Sequence, residues 1–223
     1  MARIVAIVSG GLDSVVLAHE LVDQGNDLLM LSIDYGQRHR KEHEFAQRTA
    51  DRLSADYEVV DLRNIATMLP GYSLTDSSVD VPDQHYTAPG SVNVVPNRNV
   101  ILLSVAFGRA AAEKADKVAI GTVAGDDATA PDCSRAFIDA FNTMERVATA
   151  GYAPEGLEVV APFIDMPKHE VINLGERLGV PWQETWSCFN NYDLQCGLCA
   201  ACQDRQLAFQ KSDVSDPTQY RSA

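Results

Sequence analysis

The chain has 223 residues, 46% of them hydrophobic, which suits one globular domain or one with a small appendage. No apolar run approaches the roughly 18 residues of a membrane span, and the opening MARIVAIV is too short and too soon followed by glycines for a signal peptide, so a cytoplasmic protein is expected. The net charge of −13 repels phosphate backbones, so no stable nucleic-acid complex is expected and small-molecule chemistry is favoured, despite a local basic run at Arg38, His39, Arg40 and Lys41.

The first predicted element is a strand over 3–8, ending in Val8 and running directly into Ser9-Gly10-Gly11-Leu12-Asp13-Ser14 and a helix over 14–24. A glycine turn between strand and helix presents consecutive backbone N–H groups where the helix macrodipole also favours an anion. Gly10 and Gly11 are expected to take positive φ and, lacking Cβ, to let a phosphate approach the backbone, with the Ser9 and Ser14 hydroxyls as further donors. A carboxylate beside such a nest is costly unless a cation lies between them, so Asp13 reads as a helix cap, a magnesium ligand, or both. A strand over 28–33, the loop Asp34–His39, a helix over 40–54 and a strand over 57–62 follow. With a triphosphate in the first turn, the nucleotide base and ribose fall on that loop, which carries Tyr35, Gln37 and Arg38.

Residues 68–97 are rich in Pro, Ser, Asp and Gly and lack a period, the pattern of a functional loop or lid. Pro96-Asn97-Arg98-Asn99 then precedes a helix over 98–115, in which Val100, Leu103, Phe107 and Ala111 keep a 3–4 spacing. An N-cap role accounts for one of the asparagines. Arg98 opposes the helix dipole, a conflict that a bound phosphate or carboxylate would resolve. The strand over 117–121 ends at Gly121. After it, Asp126, Asp127 and Asp132 share one loop, suited to a metal, to the guanidine-like edge of a substrate, or simply to solvent. Cys133 is a packing residue or part of a substrate wall. A helix over 134–148, a strand over 158–161 and a helix over 167–178 complete the pattern; Lys168, at the start of the last, is either solvated or a charge for the ligand.

Continuous apolar strands alternating with helices indicate an α/β protein with a doubly wound parallel sheet, whose ligands sit at the carboxyl ends of the strands. The motifs above fall at such ends. The expected division is a nucleotide-binding α/β domain over 1–180 and a segment over 181–223 packed on it, ending in a frayed polar tail over 212–223. That segment holds Cys188, Cys196, Cys199 and Cys202, the last three in CGLCAAC. Four thiolates from two short loops can complete the closed shell of a structural zinc. An iron–sulfur cluster is a rival, and a disulfide is disfavoured in a cytoplasmic chain.

SGGLDS at 9–14 resembles the signature of the PP-loop ATP pyrophosphatase superfamily. Together with YGQRH at 35–39, VPNRN at 95–99, PDC at 131–133, TWSC at 185–188 and CGLCAAC followed by Arg205, the chain resembles the 7-cyano-7-deazaguanine synthase family over about residues 3–210. The resemblance implies an ATP-dependent ligase that adenylates 7-carboxy-7-deazaguanine, lets ammonia displace AMP to give an amide, and dehydrates the amide to a nitrile with further ATP, for deazaguanine nucleosides such as queuosine. It implies ATP, Mg2+ and Zn2+ as cofactors and a homodimer. Val8 to Ser14, Tyr35, Gln37, Arg38, Asn97, Arg98 and Gly121 would bind the nucleotide. Asp13, Arg98 and Lys168 would be catalytic; Asp126, Asp132 and Cys133 would meet the substrate, and the four cysteines the zinc. One departure stands out. The family reads D-x-SGYPDCR in the substrate loop, whereas this chain has Asp126, then Ala128-Thr129-Ala130, and Ser134 in place of the arginine, with Arg135 one position later as a candidate substitute. The departure suggests an alternative ligase that stops at the amide or couples the acid to another amine, including a protein amine. Sulfur or lysine transfer onto tRNA and a non-catalytic nucleotide-binding module are further readings, the first opposed by the charge and the second by the intact SGGLDS loop.

Overall fold

The computed structural model describes residues 1–84 and 91–221. Five parallel strands form one sheet in the order β3-β2-β1-β4-β5: β1 Arg3–Ile7, β2 Asp27–Asp34, β3 Asp56–Asp61, β4 Lys117–Ala119 and β5 Glu158–Val160. Among the described residues six α-helices accompany them: α1 Leu12–Asp23, α2 Glu42–Leu53, α3 Arg98–Glu113, α4 Arg135–Ala148, α5 Lys168–Arg177 and α6 Ala200–Lys211. The doubly wound parallel sheet expected from the alternation is present, and no helix among the described residues is long and apolar enough to cross a membrane.

The two-residue period of each strand divides the core. Ile4, Ala6, Val8, Leu28 and Met30 face one layer, shared with Val15 and Val16 of α1, Val171 and Ile172 of α5, and Ala208 and Phe209 of α6. Val5, Ile7, Leu29, Leu31 and Ile33 face the other, with Leu103 and Phe107 of α3 and Phe141 of α4. Leu31 is fully buried, and truncating it to alanine would cost about 2–5 kcal/mol. At the amino edge of the sheet, Arg3 reaches Asp27, Asp56 and Glu113 at 2.8–3.0 Å, joining β1, β2, β3 and α3.

Two expectations need correction. Helix α6 has no counterpart in the predicted pattern, because its buried face runs through Cys202 and Arg205, neither of which reads as a hydrophobic position. The tail is not frayed over 212–221. The carboxylate of Asp216 accepts from Arg205 at 3.3 Å and from the Tyr220 hydroxyl at 2.6 Å, and the Arg221 N–H donates to the Gln195 carbonyl at 2.9 Å. Residues 85–90 of the long loop lie outside the described residues.

The strand order reverses at β1, which lies between β2 and β4. Connections leaving the carboxyl ends there diverge, and the gap between them is where an α/β sheet accepts a ligand.

Candidate functional site

The loop Ser9–Ser14 opens the site, and only one of its glycines has positive φ. Gly10 is at φ +91°, and a Cβ there would lie 2.2 Å from the Glu42 carbonyl oxygen and 2.8 Å from the Ala46 nitrogen. The first turn of α2 therefore demands this glycine. Gly11 is extended, at φ −74°, which corrects the expectation for it; it is the N-cap of α1, with no side chain capping it. Asp13 sits in the first turn as a partner of Lys168, so the cap alternative falls. Ser9 Oγ accepts the Gly11 N–H at 3.3 Å, and the Ser14 hydroxyl donates to the Gly11 carbonyl at 3.0 Å.

A cavity of about 570 Å³ lies outside the carboxyl ends of β1, β2 and β4. Of the residues singled out in the sequence, Val8, Ser9, Gly11, Leu12, Asp13, Ser14, Tyr35, Arg98, Gly121, Asp126, Cys133 and Lys168 line it. Gly121 fits because a Cβ there would crowd the Asp13 backbone at 3.3 Å. Gly10, Gln37, Arg38, Asn97 and Asp132 do not line it. Gln37 is buried and donates to the Glu42 carboxyl at 2.9 Å and the Ile33 carbonyl at 3.3 Å. Arg38 donates to the Asp76 and Val79 carbonyls and so holds the long loop. Asn97 makes no capping bond; the carboxylate of Asp132 instead accepts the Asn99 N–H at 2.9 Å and caps α3 from outside. The rest of the basic run is also engaged. Arg40 pairs with Asp34 at 2.8 Å, Lys41 donates to the Asp193 carbonyl at 2.9 Å, and His39 is buried against Phe189. Arg135 pairs with Asp165 at the surface rather than entering the cavity, whose nearby wall is Ala128, Thr129 and Ala130.

One end of the cavity is a charge cluster. Lys168 Nζ stands 3.3 Å from Asp13 Oδ2 and 2.5 Å from Asp204 Oδ2. Burial alone would lower the Lys168 ammonium, but Asp13, then Asp204 and Asp126, hold it well above its ordinary value. Burial pushes the Asp13 carboxyl up to about 6 against the pull of Lys168. Asp13 Oδ1 is buried with no hydrogen-bond partner among the described residues, as is Thr122 Oγ1 on the same wall. An unpartnered carboxylate oxygen beside an N–H nest fits a hard divalent cation and a phosphate. At the other end, Tyr35 hydrogen-bonds Arg98, and burial pushes its hydroxyl up to about 12. Burial likewise raises the Glu42 carboxyl to about 8 and lowers the His39 imidazole to about 3.

The sulfurs of Cys188, Cys196, Cys199 and Cys202 all lie within 4.8 Å of one another, and all four residues are buried. Cys196 and Cys202 are 3.8 Å apart, the edge of a tetrahedron with metal–sulfur bonds of about 2.3 Å. Backbone N–H groups of Asn190 and Cys196 point at Cys188 Sγ, and those of Leu198 and Cys199 at Cys196 Sγ, at 3.3–3.4 Å. Four buried sulfurs at this spacing fit a single metal ion held by four thiolates.

Residues 3–213 match the family described as queuosine biosynthesis protein QueC. The chain belongs to that family. It is 46% identical over 218 residues to 7-cyano-7-deazaguanine synthase 1 of Mesorhizobium japonicum, spanning 97% of this chain and 93% of that one. It is 45% identical over 222 residues to the 7-cyano-7-deazaguanine synthase of Brucella ovis, spanning 99% and 94%. A solved structure of a predicted subunit of a tRNA methyltransferase from Methanocaldococcus jannaschii shares the fold, with a TM-score of 0.50 at 16% identity, covering 79% of this chain and 75% of that one.

Among the polar residues that line the cavity of this QueC chain without a signal in the sequence are Asp204, Glu42 and Thr122. Asp204 stands two residues beyond Cys202, on the helix that was not foreseen. Glu42 reads as one more charge at the start of α2, and only its burial, at 8% exposure, sets it apart.

Proposed function

We propose that this chain is a cytoplasmic 7-cyano-7-deazaguanine synthase that uses ATP in two activation steps. The observation that carries the reading is the convergence of the Ser9–Ser14 loop, Arg98 and Lys168 on one cavity at the strand-order reversal, in a chain of the QueC family. A carboxylate resists ammonia because its charge repels the nucleophile and oxide leaves poorly. Attack of 7-carboxy-7-deazaguanine on the α-phosphorus of ATP gives an acyl adenylate and pyrophosphate. Ammonia then displaces AMP to form the amide, and a second ATP activates the amide oxygen so that its loss with AMP leaves the nitrile.

The backbone N–H groups at Gly11 to Asp13, with Ser9 and Ser14, would cradle the departing pyrophosphate, and Val8, Leu12 and Gly121 would flank the nucleotide. Arg98 and Lys168 would meet charge developing on the phosphates or the carboxylate. Tyr35 would border the base; Gln37, Arg38, Asn97 and Asp132 would act from behind the cavity wall; Asp126 and Cys133 would face the acid. Asp13 would hold Mg2+, which supplies charge neutralisation at the phosphates. The four cysteines would hold Zn2+ in a closed structural site. A homodimer and the lack of a stable nucleic-acid complex belong to the same reading.

A second reading keeps the adenylation but ends at the amide or joins the acid to another amine, a protein amine included. The small Ala128–Ala130 wall and the engagement of Arg135 with Asp165 favour it. Mass spectrometry of the protein incubated with 7-carboxy-7-deazaguanine, ATP, Mg2+ and ammonium separates the two. The nitrile is the expected product; amide accumulating alone establishes the second reading, and intact ATP overturns both.

A further inference from the structure

Two carboxylates share the Lys168 ammonium unequally. Asp204, on α6, is the nearer at 2.5 Å, while Asp13, on α1, lies at 3.3 Å and keeps its other oxygen without a hydrogen-bond partner among the described residues. All three side chains are largely removed from solvent, at 21–28% exposure, so their attractions are only partly screened.

We propose that Asp204 is a positioning residue that holds Lys168 against the cavity wall and so reserves Asp13 for the divalent cation accompanying the nucleotide. The assignment rests on the nucleotide reading of the cavity. An ammonium and a divalent cation compete for the same carboxylate oxygens. With Asp204 neutralised, Asp13 becomes the one carboxylate within 4 Å of Lys168 among the described residues, and an incoming cation has to displace a fully paired lysine.

The position of Asp204 is itself fixed by the cysteine cluster. Cys199 is the N-cap of α6 and Cys202 lies in its first turn, two residues before Asp204. On the other side of Asp204, Arg205 anchors the helix by donating to Thr185 Oγ1 at 2.6 Å and the Trp182 carbonyl at 3.1 Å. The four-sulfur cluster thereby reaches the nucleotide cavity through a carboxylate, in addition to stabilising the C-terminal segment.

The test is Mn2+ binding followed by electron paramagnetic resonance, on purified protein with its thiolate metal in place and a non-hydrolysable ATP analogue present. Asp204→Asn is expected to weaken Mn2+ binding roughly tenfold, the order of one lost ion-pair contrast. Asp204→Glu should restore most of it, and neither change should alter the thiolate metal content or nucleotide affinity at saturating Mn2+. The double variant Lys168→Met with Asp204→Asn removes the competitor and should recover wild-type Mn2+ affinity; it also serves if Asp204→Asn alone does not fold. Unchanged Mn2+ affinity in folded Asp204→Asn, or no recovery in the double variant, overturns the assignment. Wild-type protein that binds no Mn2+ with the nucleotide analogue instead overturns the nucleotide reading beneath it.

Discussion

The backbone N–H of Trp186 donates to the carbonyl of Gly10 at 2.9 Å, so the segment bearing the cysteines is hydrogen-bonded directly to the glycine loop at the opposite end of the sequence. The Trp186 ring also packs on Phe45 of α2, with centroids 5.5 Å apart, and lies beneath Lys41. The loop is therefore clamped between α2 and the cysteine segment, and its shape depends on both.

Gly10→Ala tests that clamp. The added methyl would overlap the Glu42 carbonyl at 2.2 Å in a backbone conformation that L residues avoid. A loss of about 2–4 kcal/mol is expected in urea unfolding. Full stability in the variant would show that α2 does not press on the loop.

Glu42 gives a pH dependence with a definite sign. Its folded carboxyl is raised by burial to about 8 from an ordinary 4.5. The protonated form is thus favoured by folding, and its contribution is complete below the unfolded value and lost as pH rises through the folded one. Wild-type stability should fall between about pH 5 and 8 by on the order of 3 kcal/mol from this group. Glu42→Gln should flatten that part of the profile, measured by unfolding at several pH values; a parallel profile in the variant would remove Glu42 as the cause.

Metal content provides a third check. Protein purified under reducing conditions should carry one tightly held metal ion per chain on the four cysteines, and elemental analysis should identify it as zinc. Cys188→Ser or a strong chelator should release it and destabilise the C-terminal segment by several kcal/mol, on the order of 3–5. Folded, metal-free protein of undiminished stability would contradict the closed-shell reading.

Arg205 is 1% exposed and donates to Thr185, Ser187, Trp182 and Asp216, from four directions around one guanidinium. Arg205→Ala should cost about 3–5 kcal/mol because the buried acceptors and Asp216 lose their partner. Arg205→Lys should recover little of it, since a single ammonium cannot span that fork. Limited proteolysis should cut the tail over 212–221 first in both variants.

The sheet was readable because its central strands β1 and β2 are nearly continuous apolar runs and the helices between them repeat on a 3–4 spacing; the strands and helices of the first 180 residues fall within a few positions of their expected ends. The glycine loop and the cysteine cluster were also readable, since each follows from local spacing. Helix α6 was not. Its packing depends on a buried arginine and on cysteines, and no hydrophobicity pattern marks those as interior. The ordered tail depends on Asp216 meeting Arg205, a contact between polar residues that composition alone reads as solvated. Asp132 illustrates the converse. The loop it shares with Asp126 and Asp127 suggests a metal, a substrate edge or plain solvation, and the chain folds it onto the N-terminus of α3, where its carboxylate accepts the Asn99 N–H.

Helix α6 places Asp204 and Arg205 next to each other, one serving the cavity and the other the buried tail. Adjacent helical positions point about 100° apart, so a single inserted or deleted residue between Cys202 and Asp204 would swing both side chains off their targets at once. The spacing from the last cysteine into this helix is consequently a ruler with no slack, and changes of chain length at that point should be far less tolerated than substitutions on its solvent face.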